Sequence, residues 1–186
     1  MYPTPEKIYK EYKNKELNKS SASDIFISLI ENSNNEGFRA ECIYYLSEIG
    51  LKSFKIFKFL EDIFVSDQSE YIRRAAFEAL KKNFKLKAIK PVSYVLSKEK
   101  EKSILIELIN FMEKSNPFIC RDILIKRIRD IDERKKEKVL RGQNLKNLKL
   151  NELKEKYIEF LLDQSLDMLY FHRHKIPFAV DLFYID

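Results

Sequence analysis

The sequence is short of the residues that make turns, with only three glycines and five prolines among 186 residues. Folds built from many short strands use more of both at their turns, so this composition favours long helices with few tight corners. The glycines, at positions 37, 50 and 142, are too far apart to form the glycine-rich loop that holds nucleotide phosphates. No Gly-x-Ser-x-Gly nucleophile motif occurs either.

Tryptophan is absent, and cysteine and histidine occur only twice each. Cys42 and Cys120 cannot form a metal site alone, and both stand among apolar residues, which predicts buried thiols in a reducing compartment. His172 and His174 are two positions apart, a spacing that does not place them on one helix face. Neither has a neighbouring cluster of cysteines or carboxylates to complete a zinc site. The sequence therefore predicts no cofactor and no metal.

Long apolar runs are also lacking. No stretch approaches the roughly 20 apolar residues that a membrane helix requires. The opening "MYPTPEKIYKEYKNKEL" lacks the apolar core of a secretory signal peptide. We therefore expect a cytoplasmic protein without a membrane span. Hydrophobic residues still make up 45% of the chain, which is enough to bury a core.

A repeat with a period of 34 residues occupies the first half of the chain. The segment "DIFISLIENSNNEGFRAECIYYL" (24–46) aligns without a gap with "KFLEDIFVSDQSEYIRRAAFEAL" (58–80), so that Arg39 matches Arg73. Each copy predicts a helix, a polar turn and a second helix, which we call the A helix and the B helix. Helix pairs that recur every 20–50 residues are typical of an α-solenoid.

The B helix of the second copy has a narrow apolar stripe made largely of small residues. Its members follow the i, i+3, i+4, i+7, i+8 spacing of one helix face and are Ile72, Ala75, Ala76, Ala79 and Leu80. Small side chains let a neighbouring helix approach closely, so we expect Ala75 and Ala76 at a tight helix–helix contact.

Two further copies are predicted after the second. The third has a shorter turn, with an A helix through Val92, Val95 and Leu96. The fourth begins where Asn116 can cap a helix and Pro117 suits its first position. We expect a lead-in helix or flexible segment over 1–19, a repeat domain over 20–172 and a tail over 173–186. The repeats themselves are predicted at about 20–50, 54–84, 87–114 and 117–172.

The second copy resembles the HEAT family of helical repeats. The resemblance rests on a turn aspartate, a hydrophobic residue followed by arginine, and a pair of small residues. These are, in order, Asp67, Ile72, Arg73, Ala75 and Ala76. It covers roughly residues 20–115, with a looser likeness to about 172. It implies an all-α, right-handed α-solenoid of three to four helix pairs with a longer C-terminal helix.

The other copies depart from this pattern. The first keeps Arg39 but has Asn and Ser where the turn aspartate would stand, and the third has Lys102 in place of the arginine. We interpret Arg39 and Arg73 as structural, because each lies in the first turn of a B helix and can reach a turn carboxylate or a neighbouring carbonyl. Contact with a ligand is the alternative.

HEAT-like proteins include a few enzymes, whose motifs are not found in this sequence. The deoxyhypusine hydroxylases bind iron through His-Glu pairs, and this chain has no His-Glu dipeptide. The alkylpurine DNA glycosylases hold DNA on a basic concave face with aromatic residues and an aspartate. Here tryptophan is missing and no aspartate matches that motif. We therefore expect no enzymatic activity.

The net charge of +6 arises from residues 81–141, which hold 18 Lys and Arg against 9 Asp and Glu. The densest run, 126–141, mixes eight basic with four acidic residues, a pattern of either a solvated, ion-paired helix or a surface for an anionic partner. Candidate partner-binding residues are Arg74, Lys81, Lys82, Arg127, Arg134, Lys135 and Lys136.

The sequence predicts a non-catalytic scaffold module that binds another protein. The alternative is a nucleic-acid-binding protein that uses 81–141, including a DNA glycosylase-like enzyme.

Overall fold

The structure, a computed structural model, describes residues 4–131 and 133–172. Throughout those residues the regular elements are helices and no strand occurs, so the all-α prediction is confirmed there. The predicted tail, 173–186, lies outside the described residues, and so does His174. Among the described helices none is long and apolar enough to cross a membrane.

The helices are mostly of similar length and joined by short connections. Their bounds are α1 Pro5–Lys13, α2 Lys19–Asn32, α3 Glu36–Ile49, α4 Phe54–Ser66, α5 Glu70–Asn83, α6 Lys85–Lys98, α7 Lys102–Ser115, α8 Pro117–Arg129, α9 Glu133–Leu140 and α10 Leu150–His172. A short 3-10 helix, Leu145–Asn147, precedes α10. Helix α1 lies inside the predicted lead-in segment, and α10 is the longer helix that was predicted near the C-terminus.

Side-chain caps set several of the helix starts. In each case a side-chain oxygen accepts the backbone N–H three residues later, which satisfies one of the unpaired donors of the first turn. The capping residues are Asn18 (2.9 Å), Asn35 (2.9 Å), Ser53 (3.2 Å) and Asn116 (3.1 Å). Gly50 caps the C-terminal end of α3, and its φ of 65° is a conformation that glycine adopts without a Cβ clash.

The helices up to α7 form three pairs, α2 with α3, α4 with α5 and α6 with α7. Successive pairs pack on each other through α3 and α5, and through α4 and α6, while α1 packs on α2 and α3. Three residues separate the two helices of every pair, so the shorter turn predicted for the third copy is wrong. The shortening lies between pairs instead, where Phe84 alone connects α5 to α6.

The core of the pairs consists of the apolar stripes that face one another. In α5 the fully or nearly fully buried residues are Ile72, Ala76, Phe77, Ala79 and Leu80. Phe77 is packed between Phe64 and Phe111, with ring centroids 5.5 and 5.6 Å away. Ala75 is only partly buried, so the predicted stripe is rotated slightly toward Phe77.

The chain forms two compact units, Met1–Ile123 (unit 1) and Leu124–Asp186 (unit 2). The boundary falls inside α8, within the segment predicted as a fourth repeat. In unit 2, α9 packs against α10. The buried residues there are Leu124, Ile125, Ile128, Val139, Leu145, Leu148, Leu153, Tyr157 and Leu161.

Candidate functional site

Arg39 joins the first helix pair to the second. Its Nη2 donates to Asp67 Oδ2, in the turn between α4 and α5, and its Nε donates to the carbonyl of Ile30 at 3.2 Å. The Arg39 and Asp67 side chains are only 20% and 12% exposed. The ion pair is therefore largely shielded from water, and it fixes the turn of one pair against the B helix of the other.

Arg73 repeats this link one pair further along. Its Nε and Nη2 donate to Glu99 Oε2 at 3.2 and 2.9 Å, and its Nη1 donates to the carbonyls of Asp67 and Gln68 at 3.1 and 3.2 Å. The guanidinium thus connects its own turn with the turn of the third pair. Sequence reasoning missed Glu99, although it lies 32 residues after Asp67 and is the first residue of the equivalent turn.

The pKa of Glu99 is lowered in spite of its surroundings. Burial works to raise this pKa, but the backbone N–H groups of Glu101 and Lys100 and the Arg73 guanidinium together outweigh it. Both N–H groups donate to Glu99 Oε1, at 3.1 and 2.8 Å. Glu99 therefore remains ionised at neutral pH in the folded protein.

An equivalent hydrogen bond occurs in each of the three turns within the pairs, and it accounts for the different residue type in the first turn. Two residues before each B-helix cap, a side-chain oxygen accepts the backbone N–H of the capping residue. The acceptors are Ser33 (3.2 Å), Asp67 (3.0 Å) and Glu99 (3.1 Å). The acceptor in the first turn is the uncharged Ser33, and α1, the helix that precedes the first pair, has no arginine for this turn to neutralise.

The third B helix does not continue the links. Its fourth residue, at the helix position of Arg73, is Leu105, which is fully buried. Lys102 is the first residue of α7, so the prediction that it replaces the arginine is wrong. We call Arg39 and Arg73 the linking arginines.

A groove of about 430 Å³ lies between the B helices α3 and α5. Small residues line it where the helices approach: Gly37, Ala40 and Ala75. Tyr71, which is 57% exposed, lies beside them. Ala75 therefore contributes to a surface, whereas Ala76 is fully buried between helices.

The groove carries more negative than positive charge. Its charged lining residues are Glu41, Glu78 and Arg74. Arg74 is already paired with Glu107 of α7, and Glu78 with Lys81. Glu41 is exposed and forms no ion pair with a described residue. A cationic group that enters the groove would therefore meet an unneutralised carboxylate.

A larger cavity, of about 530 Å³, surrounds the Arg39–Asp67 pair on the side of the turns. The guanidinium of Arg39 in this cavity already donates to Asp67 and to the Ile30 carbonyl. The charged groups of the cavity are therefore engaged in linking the two helix pairs. No strongly exposed aromatic side chain lines it. The groove is for these reasons the better candidate for a binding site.

The basic candidates from the sequence are divided between the two units. Arg74, Lys81 and Lys82 lie on α5, and Lys82 pairs with Glu48 of α3. Arg127 lies on α8, where its guanidinium is 5.4 Å from the Tyr157 ring and Nε donates to the Tyr157 hydroxyl. The remaining three, Arg134, Lys135 and Lys136, lie on α9, and Lys136 pairs with Glu133. With carboxylates of described residues, ion pairs are formed by Arg74, Lys81, Lys82 and Lys136.

Other potentially reactive side chains are buried. Cys42 and Cys120 are both buried and free, and burial, reinforced by the charge of Glu41, raises the pKa of Cys42 to about 12. Burial also raises the pKa of Tyr157, against the opposing effect of Arg127. Among the described residues, no group of three His, Cys, Asp or Glu side chains is placed to hold a metal ion.

Comparisons with protein-family models, with curated proteins and with solved structures give no match to this chain. The groove is thus interpreted from its own geometry. Small residues beside an aromatic ring and a carboxylate suit the side chain of a peptide that has an apolar stem and a cationic end.

Proposed function

We propose that this chain is a HEAT-like helical-repeat module that binds another protein through the groove between α3 and α5. Successive pairs pack on each other, the first and second through their B helices α3 and α5 and the second and third through their A helices α4 and α6, which supports an α-solenoid in unit 1. The linking arginines support it further, because an equivalent arginine–carboxylate ion pair joins the first helix pair to the second and the second to the third.

The observation that carries the proposal is the groove itself. Gly37 and Ala75 leave a depression on an otherwise closely packed helix surface, and Tyr71 lies at its side. Tyrosine is enriched where proteins bind one another, because it buries a large rigid area and keeps a polar end. The partner is expected to place a lysine or arginine against Glu41, with its aliphatic stem along the small residues.

A nucleic acid is the weaker candidate for the groove because phosphate would meet carboxylates there. Glu41 and Glu78 both line the groove, whose one cation, Arg74, is already neutralised by Glu107. Lys81 and Lys82 are paired in the same way. Nucleic-acid binding needs several cations that are free to contact successive phosphates.

The test is affinity capture from the native cell with three baits, followed by quantitative mass spectrometry. The baits are the wild-type chain, Ala75→Arg, which fills the groove, and Val65→Arg, a control at another partly exposed position. We expect a protein that the wild type and the control both retain and that Ala75→Arg loses. Identical protein sets on all three baits would overturn the proposed site.

The nucleic-acid alternative is tested by fluorescence anisotropy with duplex DNA and single-stranded RNA, from about 50 to about 200 mM salt. The proposed function predicts no binding. Micromolar binding that weakens with a log–log slope near −0.9 per phosphate contact on DNA, and that charge reversal at Arg134, Lys135 and Lys136 abolishes, would replace it.

A further inference from the structure

Among the described residues, the three most exposed large apolar side chains lie at the start of successive A helices. Phe54, Leu86 and Phe118 are 71%, 82% and 82% exposed, and they are spaced 32 residues apart. Each lies in the first turn of its helix, α4, α6 and α8. Isolated apolar residues are ordinary on protein surfaces, but recurrence in the first turn of successive A helices calls for a common cause.

The first turns of α4 and α6 lie side by side. The two helices pack on each other, and the short connections to α5 make both antiparallel to it. The Phe57 ring of α4 lies 5.5 Å from the ring of Phe84, and Lys87 Nζ of α6 lies 5.9 Å from the centroid of the Phe57 ring. Phe54 and Leu86 consequently belong to one surface, on neighbouring helices.

Lysines flank these two apolar residues in the sequence. We define the α4–α6 edge as Lys52, Phe54, Lys85, Leu86 and Lys87. Residues 79–98 hold six lysines and no acidic residue.

Two carboxylates of neighbouring helices are already paired with lysines. Asp24 binds Lys55 at 2.7 Å, and Glu48 binds Lys82. Lys52 and Lys85 are exposed and form no ion pair with a described residue. The edge therefore combines exposed apolar side chains with uncompensated positive charge.

We propose that the α4–α6 edge binds an acidic segment of a partner protein, which packs two large apolar side chains against Phe54 and Leu86. The proposal rests on the proposed function as a protein-binding module but uses a surface other than the groove. Packed helices are about 8–10 Å apart, and residues i and i+7 on one face of a helix are separated by a similar ~10 Å. An acidic amphipathic helix thus has its anchors at the required spacing.

The test uses a fluorescein-labelled acidic helical peptide of about 20 residues with leucines at i and i+7, titrated with the full chain. A control peptide has the same charges and serines in place of the leucines. We expect saturable binding of the leucine peptide and at least about tenfold weaker binding of the serine peptide, since the apolar contact is then lost.

Chain variants locate the surface. Phe54→Ser with Leu86→Ser should weaken binding at least about tenfold, and Lys85→Glu with Lys87→Glu should weaken it in a salt-dependent way. The control, Val65→Ser with Tyr94→Ser, changes exposed apolar residues elsewhere on the same helices and should bind as the wild type does. Circular dichroism establishes that every variant folds.

Several results would overturn the inference. These are equal binding of the leucine and serine peptides, no loss in the Phe54→Ser, Leu86→Ser variant, and tighter binding of RNA or of anionic lipid vesicles at the same edge. Ala75→Arg should leave peptide binding unchanged. If Ala75→Arg no longer captures the partner but still binds the peptide, the groove and the α4–α6 edge are shown to bind independently.

Discussion

Replacing Glu99 with alanine is expected to destabilise unit 1 by about 3 kcal/mol, because it leaves the Arg73 guanidinium partly buried without a counter-charge. The two side chains are only 14% and 9% exposed, so water compensates little. Breaking a buried pair costs about 3–5 kcal/mol, and we expect the lower end of that range. Arg73 keeps its bonds to the carbonyls of Asp67 and Gln68.

The measurement is a double-mutant cycle of Arg73→Ala and Glu99→Ala, with unfolding in urea followed by circular dichroism. We expect a coupling energy of about 2 kcal/mol between the two positions. A matched control exists in the same unit. Lys55 and Asp24 also join two helix pairs, at 2.7 Å, but their side chains are 68% and 54% exposed. Their coupling should be no more than about 1 kcal/mol.

The comparison between the two cycles decides the outcome. Both ion pairs connect successive helix pairs, but Arg73–Glu99 is buried and joined by two hydrogen bonds whereas Lys55–Asp24 is exposed and joined by one. Equal coupling energies would therefore show that neither burial nor the second bond of the arginine adds to the coupling. In that case the structural role given to the linking arginines would be wrong. A change in the dependence on urea would instead indicate that the variant no longer unfolds in a single step.

Three further outcomes are expected. Ala76→Leu should cost roughly 1–3 kcal/mol by overpacking, while Ala75→Leu should cost less; equal melting midpoints would contradict the register of α5. Cys42, whose pKa burial raises to about 12, should resist iodoacetamide at pH 8 in the folded protein, as intact mass would show; modification at the rate of a free thiol would exclude this burial. Because the pKa of Glu99 is lowered on folding, its contribution is complete above the unfolded value of about 4.3 and is lost as the pH falls through the folded pKa. Wild-type stability should therefore decline more steeply below about pH 4 than that of Glu99→Gln, and parallel acid-unfolding curves would refute it.

Local sequence patterns determined which segments are helical and where several of them begin. The i, i+3, i+4 spacing in α5 predicted the burial of Ile72, Ala76 and Leu80, and all three are fully buried. Asn116 caps α8, as its position before Pro117 predicted. These features depend on residues within one or two helical turns of each other, so the sequence itself contains the information.

The partners of the linking arginines were decided only by tertiary structure. Arg39 binds a carboxylate 28 residues away and Arg73 one 26 residues away. Neither spacing follows from a helical period, because each depends on how successive pairs pack. Packing also decides that Ala75 lines a groove while the adjacent Ala76 is buried. A single alanine stripe predicts a close contact but not which of its members the neighbouring helix covers.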